Sequence, residues 1–237
     1  MQRTLLGMML LVLACSSANA ALLSRASGQA YYDDVLDITW IANANLADTT
    51  TFGVLGINAN GSMTWAKANE WIAAMNTAAY LGTSDWRLPT VTDTGTSGCD
   101  FAYTGTDCGY NVDLSTGEMA HMYYSTLGNT GFYNTSGVPT GCSGSSPYCL
   151  TNTGPFSNLQ PSHYWSGTAY APNTSNAWYF LFDDGLQINL NKSAALYAWA
   201  VRPGDIALVP VPAAAWLFGG ALALLGAVRR RAMTVIG

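Results

Sequence analysis

Between Ile206 and Val228 the chain carries no charged residue, and Arg229, Arg230 and Arg231 follow at once. At about 1.5 Å per helical residue, such a run reaches across the roughly 30 Å hydrocarbon core of a bilayer. Residues 206–237 are therefore expected to form a transmembrane helix with a basic stop, not part of a water-facing fold. The opposite end reads MQRTLLGMMLLVLACSSANA. Arg3 supplies a positive start, Leu5 to Ala14 a short apolar stretch, and Ala18-Asn19-Ala20 a small-residue cleavage site, which predicts a secretory signal peptide over residues 1–20. Cys15 leaves a lipid-anchored variant open. Basic residues flanking a span stay in the cytoplasm, so residues 21–205 are expected to fold outside the inner membrane.

That central body is long enough to bury one sizeable core. It keeps five basic residues (Arg25, Lys67, Arg87, Lys192 and Arg202) against fourteen acidic ones, a net charge of −9. Such a body repels nucleic acid and anionic lipid headgroups, so neither is expected as a partner. Its four cysteines, Cys99, Cys108, Cys142 and Cys149, stand as two close pairs in Gly/Ser/Thr-rich stretches. In an exported chain they predict the local disulfides Cys99–Cys108 and Cys142–Cys149. Zinc is the rival reading, but the spacings are not those of C-x-x-C knuckles, and no metal is assigned to them.

Strands are expected over Gln29 to Tyr32 and Leu36 to Ile41, with a turn at Asp33-Asp34. Asp33, Asp34 and Asp37 fit that turn and a solvated strand face. Thr64 to Leu81 has the period of an amphipathic helix, with Trp65, Ala68, Ile72, Met75 and Ala79 on one stripe. Thr64 is placed to cap its start and Gly82 to close its end. Arg87, in apolar company, is expected to pair with an acid. Residues 115–127 suggest a second, shorter helix. The last third reads as strands: Tyr164 to Ala169, Ala177 to Phe182, Leu186 to Asn191 and Leu196 to Arg202, with Asp184-Gly185 as a hairpin signal. Early helices and a late antiparallel sheet give an α+β domain.

In the Leu186 to Asn191 strand, alternation separates Leu186, Ile188 and Leu190 from Gln187, Asn189 and Asn191. The first set is expected to take the core, which leaves the three carboxamides facing outward beside Asp183 and Asp184. Amides and carboxylates bind sugar hydroxyls, and their oxygens also suit a calcium ion, so these five residues are the candidate ligand site and calcium the candidate cofactor. An ordinary solvated strand face is the alternative.

Several stretches carry resemblances. Val209-Pro210-Val211-Pro212, the apolar span and the arginine cluster resemble the PEP-CTERM sorting signals of bacteria, which implies an exosortase-like processing enzyme as a partner. Trp86-Arg87-Leu88-Pro89-Thr90, the stretch Gly117 to Tyr124, Tyr164-Trp165-Ser166, Ala177-Trp178-Tyr179 before Asp184-Gly185, and Ala200-Val201-Arg202-Pro203 resemble, in that order, the C-terminal domain of Legionella collagen-like adhesins. The resemblance covers nearly all of residues 29–204 and implies a C-type-lectin-like fold and an adhesin-like module that binds an extracellular glycan or matrix polymer. It does not carry over the sulfated ligand of those adhesins, because this body is acidic.

The two histidines, His121 and His163, suit packing and turn roles, and the sequence holds no G-x-S-x-G, no H-E-x-x-H and no phosphate loop. No enzyme activity is expected. The alternatives are a structural surface protein without a discrete ligand, and an oxidoreductase like the formylglycine-generating enzymes, which would need Cys142 and Cys149 as free thiols.

Overall fold

The computed structural model describes residues 21–102, 104–142 and 148–206. The chain divides into two compact units, Met1–Asp205 and Ile206–Gly237. The expected signal peptide, residues 1–20, lies outside the described residues, as does the expected membrane span apart from Ile206. Among the described residues no helix is long and apolar enough to cross a membrane.

The described residues of the first unit are α+β, with two antiparallel sheets and two short α-helices. One sheet has the order β1 (Leu22–Arg25), β2 (Ala30–Asp33), β3 (Ile38–Ile41) and β7 (Val201–Pro203). The other is β4 (His163–Ala169), β5 (Asn176–Leu181) and β6 (Leu186–Asn191). Strand β1 had no clear alternation in the sequence; it joins β2 through a reversal in which Ala26, Ser27 and Gly28 all take positive φ. The turn after β2 starts one residue later than expected and runs over residues 34–37. Asp33 is fully buried, not on a solvated face, and its Oδ1 accepts from the amides of Val35 (3.0 Å) and Leu36 (3.1 Å). Strand β7 lies beside β3, and there the end of the body meets its beginning: the Arg25 guanidinium forks onto Asp205 at 2.6 and 2.7 Å.

Helix α1 (Trp65–Thr77) starts where the sequence indicates, with Thr64 Oγ1 accepting from the Lys67 amide at 3.4 Å. It stops four residues short of the expected Leu81. Asn76 exchanges two hydrogen bonds with the backbone of Trp86, both 2.8 Å, and Ala79 then takes a left-handed conformation. The buried Trp86 draws the chain back under the helix, so Ala79 is exposed and Trp71, outside the expected stripe, takes a core position. The second helix is shorter than expected. Asp113 holds Ser115 and Thr116 in a turn, so α2 spans only Glu118–His121 and continues as a wide π-turn over Met122–Thr126. The wide turn directs adjacent aromatics inward: Tyr123 donates to the Cys149 carbonyl (3.0 Å) and Tyr124 to the Gly185 carbonyl (2.6 Å). Arg87 pairs with an acid as expected, in a two-pronged bond to Glu118 at 2.7 and 2.6 Å.

The core is aromatic. Trp40, Trp71, Trp165, Trp178 and Trp199 are fully buried, and most of their indole N–H groups staple loops to it. Trp165 donates to Met63, Trp199 to Ile41 and Trp71 to Thr50, each through a carbonyl 2.8–2.9 Å away. Strand β4 bulges between Trp165 and Ala169. The bulge docks the segment after Arg87, with Gly167 donating to the Pro89 carbonyl and Thr168 exchanging bonds with Val91.

Candidate functional site

The register of β5 and β6 decides the fate of the expected carboxamide row. Gln187 pairs with Phe180 and Asn189 with Trp178, so the carboxamides share a face with two fully buried aromatic side chains. Gln187 is accordingly fully buried, not outward. Its backbone exchanges hydrogen bonds with Gly109 (2.8 and 3.0 Å) and its Nε2 donates to the Asp107 carbonyl at 2.8 Å. Its Oε1 has no hydrogen-bond partner and sits against Gly117, where any Cβ would collide with it. Asn189 is half-buried and accepts from Asn176 at 2.8 Å; Asn191 is exposed and holds the turn at Ser193. Leu190, assigned to the core from the sequence, is one of the exposed large apolar residues.

Asp183 and Asp184 do sit at the hairpin, but as its interior anchor. Asp184 Oδ1 accepts from the Leu186 amide and Oδ2 from the Tyr110 hydroxyl, each at 3.1 Å. The backbone carbonyls of Asp183 and Asp184 accept from Cys149 and Phe132. Burial, reinforced by the neighbouring Asp183 charge, pushes the Asp184 carboxyl up to about 6. Burial also raises Asp183, whose Oδ1 is without a partner. Among the described residues no three His, Cys, Asp or Glu side chains come together as a metal cage, at this hairpin or elsewhere.

Both disulfides, Cys99–Cys108 and Cys142–Cys149, are formed as expected. The oxidoreductase reading needs the second pair as thiols, and here they are joined. His121 is half-buried beside Thr126, and burial lowers its pKa. His163 stacks on Tyr179 at 5.4 Å.

The first disulfide loop carries a feature of a different kind. Val91, Cys108, Tyr170 and Trp178 form a buried cluster beneath it, with Cys99 and Ile188 packed alongside. Asp93 ties the loop to this base. Its carboxylate accepts from Gly95 (2.7 Å), Ala171 (2.6 Å) and the Trp178 indole (2.8 Å). Burial opposes its ionisation, yet these donors hold its carboxyl below the usual range. Above the base, Asp107 is 3% exposed, and its Oδ2 accepts from both the amide and the hydroxyl of Thr94 at 2.7 Å. Asp100 donates its amide to the Cys108 carbonyl at 3.0 Å, and Thr106 donates its hydroxyl to the same carbonyl at 2.7 Å. Together they enclose a pocket of about 290 Å³ lined by Thr94, Thr96, Gly98, Asp100, Gly105, Thr106 and Asp107.

None of these residues was a sequence candidate. The signal was there: two Thr-Gly-Thr triplets, 94–96 before Cys99 and 104–106 between Cys99 and Cys108, both contribute to the pocket lining. Gln187, the one expected site residue that reaches this region, acts from behind by holding the Asp107 backbone. No curated protein matches the chain. The Lcl C-terminal domain matches it over residues 29–202, which takes in both sheets except β1 and the last residue of β7, both helices and the pocket loop; the chain belongs to the Lcl C-terminal domain family.

Proposed function

We propose that this protein is an exported cell-surface or matrix module of C-type-lectin-like fold that binds an extracellular glycan or matrix polymer through the pocket of the first disulfide loop. Its precursor is held by the C-terminal span until an exosortase-like enzyme acts on it. The family supports the module, the two disulfides support an oxidising location, and the presence of the first and last strands in one sheet supports the fold. The observation that carries the ligand is the pocket itself: a concave site lined by hydroxyls, carboxylates and glycine backbone, the groups that exchange hydrogen bonds with sugar hydroxyls.

The test is a glycan array probed with the full exported chain, with and without calcium. Binding to at least one class of saccharide, weakened tenfold or more by Thr94→Ala with Thr106→Ala, is the expected result. A blank array in both conditions would favour a structural surface protein with no discrete ligand. Binding that calcium removal abolishes, with the threonine variant unaffected, would move the site back to the hairpin carboxylates Asp183 and Asp184.

A further inference from the structure

We infer that the pocket selects a hydroxyl-rich ligand bearing a free ammonium group, an amino sugar or a short run of amino sugars, and rejects sulfated or carboxylated glycans. This rests on the reading of the pocket as a glycan site.

Hydrogen-bond polarity is the first argument. The Thr94 hydroxyl has already given its proton to Asp107 and the Thr106 hydroxyl has given its proton to the Cys108 carbonyl. What both oxygens still offer is lone pairs. Carboxylates only accept, and two of them line the same space: Asp107, and Asp100, whose Oδ1 also accepts from the Ala102 amide at 3.2 Å. The side chains of Thr94, Asp100, Thr106 and Asp107 thus present acceptors, which a ligand rich in N–H and O–H donors matches, and an ammonium brings three donors on one atom. A sulfate or uronate oxygen brings none.

Charge is the second argument. No Lys, Arg or His lines the pocket. Nor, among the described residues, is a Lys or Arg side chain without a partner to receive a polyanion. Arg25 is paired with Asp205, Lys67 with Glu70, Arg87 with Glu118 and Arg202 with Asp85, while Lys192 lies over the Trp65 ring and donates to the Thr174 carbonyl. Asp107 is almost wholly shielded from water, so an ammonium beside it interacts through protein more than through solvent and gains more than it would at an open surface. The volume sits at the small end of the ligand-pocket range of roughly 300–1,000 Å³, which suits one or two sugar rings.

Calorimetric titration of the full exported chain decides the matter at pH 6, where amines are protonated. The probes are a glucosamine tetramer, its fully N-acetylated counterpart, a heparin tetramer and calcium chloride alone. The expected result is binding of the free-amine tetramer, at least tenfold weaker binding of the acetylated one, no binding of heparin, and loss of affinity on adding salt. Asp107→Asn keeps an acceptor for Thr94 and should reduce amine binding tenfold or more. Thr96→Arg sits on the exposed rim, outside the fold's hydrogen bonds, and should abolish it with no change in melting temperature. Equal affinity for the amine and acetylated tetramers, or a preference for heparin, overturns the ligand class but leaves a glycan-binding pocket standing. Amine binding that survives Thr96→Arg overturns the site. Calcium binding with no saccharide binding at all overturns both this inference and the function on which it rests.

Discussion

Asp184 shows how one carboxyl can read as a ligand group in sequence and act as an anchor in the fold. Its oxygens are occupied by Leu186 and Tyr110, and its pKa rises to about 6 against an ordinary 3.8. A carboxyl raised in the folded state is more easily protonated there than in the unfolded chain. Its ionisation therefore costs stability at neutral pH, and that cost is relieved as pH falls through about 6 towards 4. Asp183 moves in the same direction. A shift of this size corresponds to at most roughly 3 kcal/mol, and solvent screening at the half-open hairpin cuts it to about 1–2 kcal/mol. Urea unfolding of the chain and of Asp184→Asn at pH 7.5, 6 and 4.5 should show a flatter pH dependence in the variant. Parallel curves would mean that Asp184 titrates normally.

At the scale of elements, β6 separates two kinds of carboxamide that the sequence makes equivalent. Gln187 is buried and holds the Asp107 carbonyl; Asn191 is exposed and holds only a turn. Removing a buried donor leaves its acceptor unsatisfied, at about 1–3 kcal/mol. Gln187→Ala should lose at least that much in thermal or urea unfolding, and Asn191→Ala no more than about 0.5–1 kcal/mol, in keeping with an exposed site. Equal and small losses would restore the outward row expected from alternation. The same bond links β6 to the pocket loop, so Gln187→Ala should also weaken whatever the pocket binds, whereas Asn191→Ala should not.

For the whole molecule the order of segments sets the proposed itinerary: the signal peptide expected over residues 1–20, a body whose ends are joined by the Arg25–Asp205 fork, and an apolar run followed by three arginines. Intact-mass measurement on protein released from a host with an exosortase should find a chain that begins at Ala21 and lacks Arg229 to Gly237. Released material that retains those residues would rule out processing and leave a permanent anchor.

The sequence by itself determined whatever depends on local covalent and steric rules. Thr64 caps a helix because its hydroxyl is adjacent to the amides that need it, the two cysteine pairs close because each is near in the chain, and Asp184-Gly185 turns because glycine accepts positive φ. The order of motifs was sufficient to place the family. What only tertiary structure decided is which side of an element is covered. Alternation in β6 distinguishes two faces but does not say which one meets the core, and near the hairpin the polar face was taken by Phe180 and the disulfide loop. The end of α1 was likewise set by Trp86 and Asn76, ten residues apart in the chain. The pocket exists only because Asp107, anchored from behind by Gln187 eighty residues away, holds Thr94 across the loop. Long-range hydrogen bonds of this kind leave no periodic trace, because they join residues whose spacing along the chain follows no helix or strand repeat.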